Sequence, residues 1–82
     1  MSFYVYMLIS VEIKPVTYVG YTKDINKRLL LHNAGKGAKF TRGRKWKLIY
    51  KELLRSKSKA ISREYYIKNN KILRNKIKKK YI

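Results

Sequence analysis

The chain has 82 residues, no cysteine and one histidine, and sets 22 Lys and Arg against 4 Asp and Glu for a net charge of +18. That length suits one domain, 1–82, with a small core, and the composition excludes a disulfide framework, a thiolate zinc site and most histidine metal sites. Self-repulsion at this charge destabilises a compact chain unless a polyanion neutralises it, so nucleic acid is the expected partner. No apolar run approaches the ~20 residues of a membrane span. MSFYVYMLIS carries neither a basic leader nor a small-residue cleavage site, which predicts a soluble cytoplasmic chain with no membrane partner, nucleoid-associated if bacterial.

Phe3 to Ile9, FYVYMLI, is an unbroken apolar and aromatic run, as in a strand buried on both faces. Tyr4, Tyr6 and Leu8 share one of its faces, and Phe3, Val5, Met7 and Ile9 the other. Ser10 to Pro15 reads as a hairpin connection to a second strand, Val16 to Thr22, with Tyr18, Gly20 and Thr22 on one face. Antiparallel pairing would present Tyr6 and Tyr18 together. Gly20 marks either a bulge or a close approach by a ligand or another backbone.

Asp24 is placed to cap a helix over INKRLLLHN, in which Arg28 and His32 stand one turn apart. Gly35 can supply its left-handed stop. The loop GKGAKFTRGR follows, with Lys36, Lys39, Arg42 and Arg44 among Gly35, Gly37 and Gly43. Short side chains and bare backbone N–H groups there would let a phosphate approach closely, but the spacing is not that of a nucleotide-binding P-loop.

A third strand is expected at Trp46–Leu54, with Trp46, Leu48 and Tyr50 alternating against Lys47, Ile49 and Lys51. Ser56 to Ser58 offer caps for a helix from Lys59, on which Ala60, Glu64 and Lys68 form one stripe and Ile61 and Tyr65 its neighbour. Asn69 and Asn70 separate it from a last amphipathic helix carrying Leu73, Ile77 and Tyr81. The order β-β-α-β-α-α describes an α+β domain, a small three-stranded antiparallel sheet flanked by helices.

As chemistry, the chain offers two phenols, a guanidinium, an imidazole and a carboxylate that could converge at the sheet edge. Phosphodiester hydrolysis needs a deprotonated nucleophile, stabilised charge on phosphorus and a neutralised leaving oxygen. Arg28 could hold phosphoryl oxygens, and Mg²⁺ (or Mn²⁺) on one carboxylate plus water could serve the leaving side. A tyrosine is a weak base at its ordinary pKa of about 10, so His32, nearby cations or a metal would have to lower it. Each residue also has a simpler role open to it. The tyrosines could be sheet aromatics, Arg28 one cation of a solvated face, His32 a helix-end residue, and Glu64 an ion-pair partner of Lys68.

Tyr4-Val5-Tyr6, Tyr18-Val19-Gly20, Arg28 with His32, GKGAKFTRGR, and Arg63-Glu64 with Lys68 together resemble the GIY-YIG nuclease superfamily, over nearly the whole chain. The likeness is to its short single-domain members, related to the Slx1-type endonuclease domain. The resemblance implies one-metal hydrolysis of DNA (branched, nicked or duplex) by an endonuclease or nickase of repair or recombination. It maps the catalytic residues to Tyr6, Tyr18, Arg28, His32 and Glu64, with Glu64 the metal ligand and one tyrosine the general base. Lys36, Lys39, Arg42, Arg44 and Lys68 are the expected nucleic-acid contacts. Tyr4 stands where the family's first motif has glycine. The asparagine that follows the glutamate in many members is left between Asn75, Asn69 and Asn70. The alternative function is a basic nucleic-acid-binding module whose nuclease site is weak or unused.

Overall fold

A computed structural model describes residues 2–81. The elements are β1 (Phe3–Ser10), β2 (Thr17–Thr22), α1 (Ile25–Asn33), a 3₁₀ turn (Lys39–Thr41), β3 (Trp46–Leu54), α2 (Lys57–Lys68) and α3 (Lys71–Tyr81), in the order expected. The sheet runs β2-β1-β3 with both pairings antiparallel. Central β1 is covered on both faces and buried from Val5 to Ser10, which is why its sequence is a continuous apolar run and not an alternation. Ser10 closes the β1–β2 hairpin: its N–H donates to Val16 O at 2.9 Å, and its Oγ accepts from Val16 N–H at 2.8 Å.

Two layers of packing result. Val5, Met7 and Val19 meet Ala60 and Ile67 of α2 and Ile77 of α3 on one face. Tyr6, Leu8 and Trp46 pack on the other with Tyr18, Leu48 and the α1 residues Ile25 and Leu29. The third strand does not keep the expected alternation. Met7 pairs with Tyr50 but Leu8 pairs with Leu48, so Ile49 is an extra residue in β3, a bulge that reverses the faces beyond it. Trp46 and Leu48 therefore face α1, whereas Tyr50 joins the α2 and α3 layer.

Local signals set the helix ends. Asp24 Oδ1 accepts from Lys27 N–H at 3.1 Å to start α1. Gly35, at φ +76°, ends it: Lys36 N–H donates to Leu31 O and Gly35 N–H to His32 O, a pattern that needs a left-handed residue between them. Ser56 caps α2 through Lys59 N–H at 3.2 Å, so that helix begins two residues before Lys59. Asn70 Oδ1 caps α3 through Leu73 N–H at 3.0 Å. On α2, Ala60 and Ile67 are buried while the Ile61 and Tyr65 stripe points outward. Among the described residues no helix is long and apolar enough to cross a membrane.

Candidate active site

Tyr6 lies directly opposite Gly20 in the β1–β2 register. A Cβ at Gly20 would stand 2.6 Å from Tyr6 Oη and 3.1 Å from Tyr18 Cε2. The β1–β2 register runs unbroken through Gly20, so the glycine marks no bulge: it makes room for a phenol lying across its own sheet. Tyr18 is two residues along on the same face, with ring centroids 6.4 Å apart. The two tyrosines line one cleft with Gly20, Tyr21, Thr22, Arg28 of α1 and Glu64 of α2. The cleft follows the outer edge of β2, where residues from helices on opposite faces of the sheet can meet.

Glu64 is positioned by its neighbour. Arg63 Nε donates to both carboxylate oxygens of Glu52 on β3, at 3.1 and 3.0 Å, and Tyr50 Oη donates to the same carboxylate at 2.5 Å. Glu64, 100° further round the helix, comes out at the β2 edge. It also stands 3.8 Å from Lys68 Nζ, a loose pair whose lysine side chain is 53% exposed and which adds little. The ion-pair role and the cleft role of Glu64 thus coexist.

Behind Tyr6 stands His32, fully buried. Tyr6 Oη is 2.8 Å from His32 Nε2, and His32 Nδ1 is 2.9 Å from Thr41 Oγ1. Thr41 Oγ1 donates its single hydrogen to Ala38 O at 2.8 Å. A carbonyl only accepts, so Thr41 has no hydrogen left for the ring. Nδ1 must then carry the proton and donate it, and neutral Nε2 accepts from Tyr6. The chain of donors runs one way, from Tyr6 through His32 and Thr41 to Ala38.

Burial sets the electrostatics. It pushes the Tyr6 phenol up to about 12, against the pull of Arg28, and raises Tyr18 for the same reason. His32 falls below its ordinary value through burial, with the Arg28 charge in the same direction. In the protein alone, burial therefore favours the neutral phenol over a phenolate at both tyrosines. What the resting site holds is a neutral phenol bonded to a neutral imidazole.

Other expected contacts are arranged differently from one another. Lys36, Lys39 and Arg42 are exposed on the loop. Arg44 is tied down, donating to Glu12 Oε2 at 3.0 Å and to Phe40 O at 3.3 Å. Lys68 lines a second cleft with Thr17, Tyr18, Val19, Phe40 and Arg74, and a third adjoins it with Lys71, Arg74, Asn75 and Lys78. Of the three asparagines, Asn69 bonds Tyr65 O and Asn70 caps α3, while Asn75 lies in that third cleft.

Sequence reasoning missed Thr41 and the role of Gly37. A Cβ at Gly37 would lie 2.3 Å from His32 Nδ1, so the loop backbone closes over the imidazole. No periodicity links positions 32 and 41; a Thr inside a glycine-rich basic loop was the one local sign. Glu64 is the single carboxylate of the cleft, and among the described residues no three His, Cys, Asp or Glu side chains cluster as a metal site. That donor set suits a hard, largely hydrated cation such as Mg²⁺ and does not suit zinc.

Comparisons with known proteins give the family and the fold. The family model of the GIY-YIG catalytic domain matches residues 2–81. A UPF0213 protein of Staphylococcus saprophyticus is 52% identical over 52 residues, 62% of this chain and 63% of that protein. One of Clostridium perfringens is 52% identical over 59 residues, 71% of this chain and 61% of that protein. The chain thus spans a little under two thirds of the length of these relatives. The solution NMR structure of a UPF0213 protein from Bacillus halodurans matches 93% of this chain and 80% of that one, with TM-score 0.52 and 36% identity. The chain belongs to the GIY-YIG catalytic domain family, a nuclease-type fold.

Proposed function

We propose that the protein is a Mg²⁺-dependent DNA endonuclease or nickase. The observation that carries this reading is the convergence of Tyr6, Tyr18, Arg28 and Glu64, from four elements, in one open cleft. Arg28 has the fork geometry to hold the phosphoryl oxygens as charge builds on them. Glu64 would hold the metal, which when bound would neutralise charge on the leaving oxygen. Tyr6 takes a proton from the attacking water while passing its own to His32 Nε2. One water O–H bond, the Tyr6 O–H bond and the scissile P–O bond break as a new Tyr6 O–H, an N–H on His32 and the new O–P bond form. The leaving strand departs as an alkoxide, whose charge a metal on Glu64 would neutralise until solvent protonates it. This transfer avoids the free phenolate that a phenol at about 12 disfavours. Tyr18, with no hydrogen bond to the imidazole, orients the water or the phosphate.

The adjoining clefts support nucleic acid as the partner, since they put Lys68, Arg74, Lys71 and Lys78 along the flank of β2 beside Tyr18. Each neutralised phosphate on duplex DNA adds about 0.9 to the log-log salt slope. The test is a cleavage panel of single-stranded, duplex, flap and four-way DNA with and without Mg²⁺. Wild type is expected to cut only with the metal, and Glu64→Ala and Arg28→Ala to lose at least about 100-fold with melting temperatures near wild type. Binding without cleavage of any substrate would replace the enzyme by a binding module.

A further inference from the structure

We infer that Thr41 is a positioning residue of the reaction: it holds His32 in the Nδ1–H tautomer, leaving Nε2 free to receive the proton of Tyr6. This rests on the nuclease reading for its kinetic consequence, but not for its structural content.

Thr41 is fully buried, and each of its polar groups is assigned. Its N–H and its hydroxyl both donate to Ala38 O, at 3.1 and 2.8 Å. Its carbonyl accepts from Trp46 Nε1–H at 2.9 Å. Trp46 is itself pinned to the end of α1, where Asn33 Oδ1 accepts from Trp46 N–H and Asn33 Nδ2 donates to Trp46 O. The hydroxyl is thus fixed relative to the helix that carries His32, and its hydrogen cannot turn toward the ring without abandoning Ala38. A buried imidazole facing an oxygen that can only accept keeps its proton on that side. Gly37 completes the mount, since a side chain there would collide with the ring and only a bare backbone lets the loop lie against it. The loop read as a phosphate grip is therefore also the support of the proton chain.

Replacing the hydroxyl by a methyl removes the acceptor while keeping the shape. In Thr41→Val the ring no longer prefers Nδ1–H, and the Nε2–H form, which donates to Tyr6 and cannot receive from it, becomes populated. Thr41→Ser restores the acceptor. The titratable and charged groups facing the ring are Tyr6 from β1, Tyr18 from β2 with centroids 5.0 Å apart, and Arg28 from α1. None of them can replace Thr41 at Nδ1, which points away from the cleft.

The experiment uses the single histidine of the chain. In ¹⁵N-labelled protein at pH 8 without DNA, imidazole nitrogen shifts report the tautomer with no second residue to confuse them. Wild type and Thr41→Ser are expected to show a protonated Nδ1 and a bare Nε2, and Thr41→Val a substantial Nε2–H population. With DNA and Mg²⁺, Thr41→Val is expected to lose about 10- to 100-fold in kcat, with KM within about twofold. The acid limb of its rate profile should move to lower pH, because the imidazolium has lost an acceptor. Thr41→Ser should recover most of the rate. An Nε2–H tautomer in wild type overturns the inference even if Thr41→Val fails to fold. So does a Thr41→Val protein with wild-type tautomer and kcat, or a rate loss that tracks melting temperature with no change in tautomer. If the tautomers come out as expected but wild type cuts no DNA, the nuclease reading fails and the tautomer assignment stands.

Discussion

On the face that carries α2 and α3, the sheet buries hydrocarbon, with Val5, Met7, Val19, Ala60, Ile67 and Ile77 forming the layer. Under α1 it buries a phenol, an imidazole, a threonine hydroxyl and an indole N–H, and each has a hydrogen-bond partner. Among the described residues no buried side-chain nitrogen or oxygen lacks one. The first face is held by area removed from water and tolerates change in proportion to the volume lost. Polar groups on the second can stay buried only while the network is whole. A small chain can thus keep a polar candidate site next to its core because the opposite face supplies the stability.

That contrast is broken most strongly at Ile67, fully buried on the apolar face. Ile67→Ala is expected to cost about 2–5 kcal/mol in urea denaturation while leaving the cleavage rate of the folded fraction unchanged. Equal damage to both quantities would show that the two faces are not separable.

Gly20→Ala acts on the other side. Its Cβ, at 2.6 Å from Tyr6 Oη, must push the ring aside, costing about 1–3 kcal/mol. Displacing a reacting group by about 1 Å can cost about 100-fold in rate, so cleavage should suffer well beyond stability. An Ala variant with wild-type kcat would remove Tyr6 from the chemistry.

The smallest effect is expected from pH. His32 has a lower pKa folded than unfolded, so the unfolded chain binds more protons in the window between the two values. Stability from this group is complete above the unfolded value of about 6.5 and declines as pH falls through the window, becoming level below the folded value. Urea midpoints measured from pH 8 down to pH 5 should therefore fall, and the fall should be reduced in His32→Gln. An equal slope in the variant would assign the acid sensitivity to the carboxylates.

Local rules were enough to find the cap at Asp24, the capping stretch Ser56 to Ser58, the stop at Gly35, the element order and the placing of Arg28 and His32 one turn apart, because neighbours along the chain determine each of them. The five candidate residues could be named from motif spacing, yet spacing alone did not say that Tyr6 and not Tyr18 is bonded to His32. The β1–β2 register decides that, with Gly20 opposite Tyr6. Only the tertiary structure placed Tyr50 on the apolar face, since the bulge at Ile49 depends on how β3 meets β1. Pairing across the fold likewise committed Arg44 to Glu12 and Arg63 to Glu52. The same holds for Thr41 beside His32, nine positions away, where the loop's closure over the helix, and no repeat in the sequence, sets which nitrogen carries the proton.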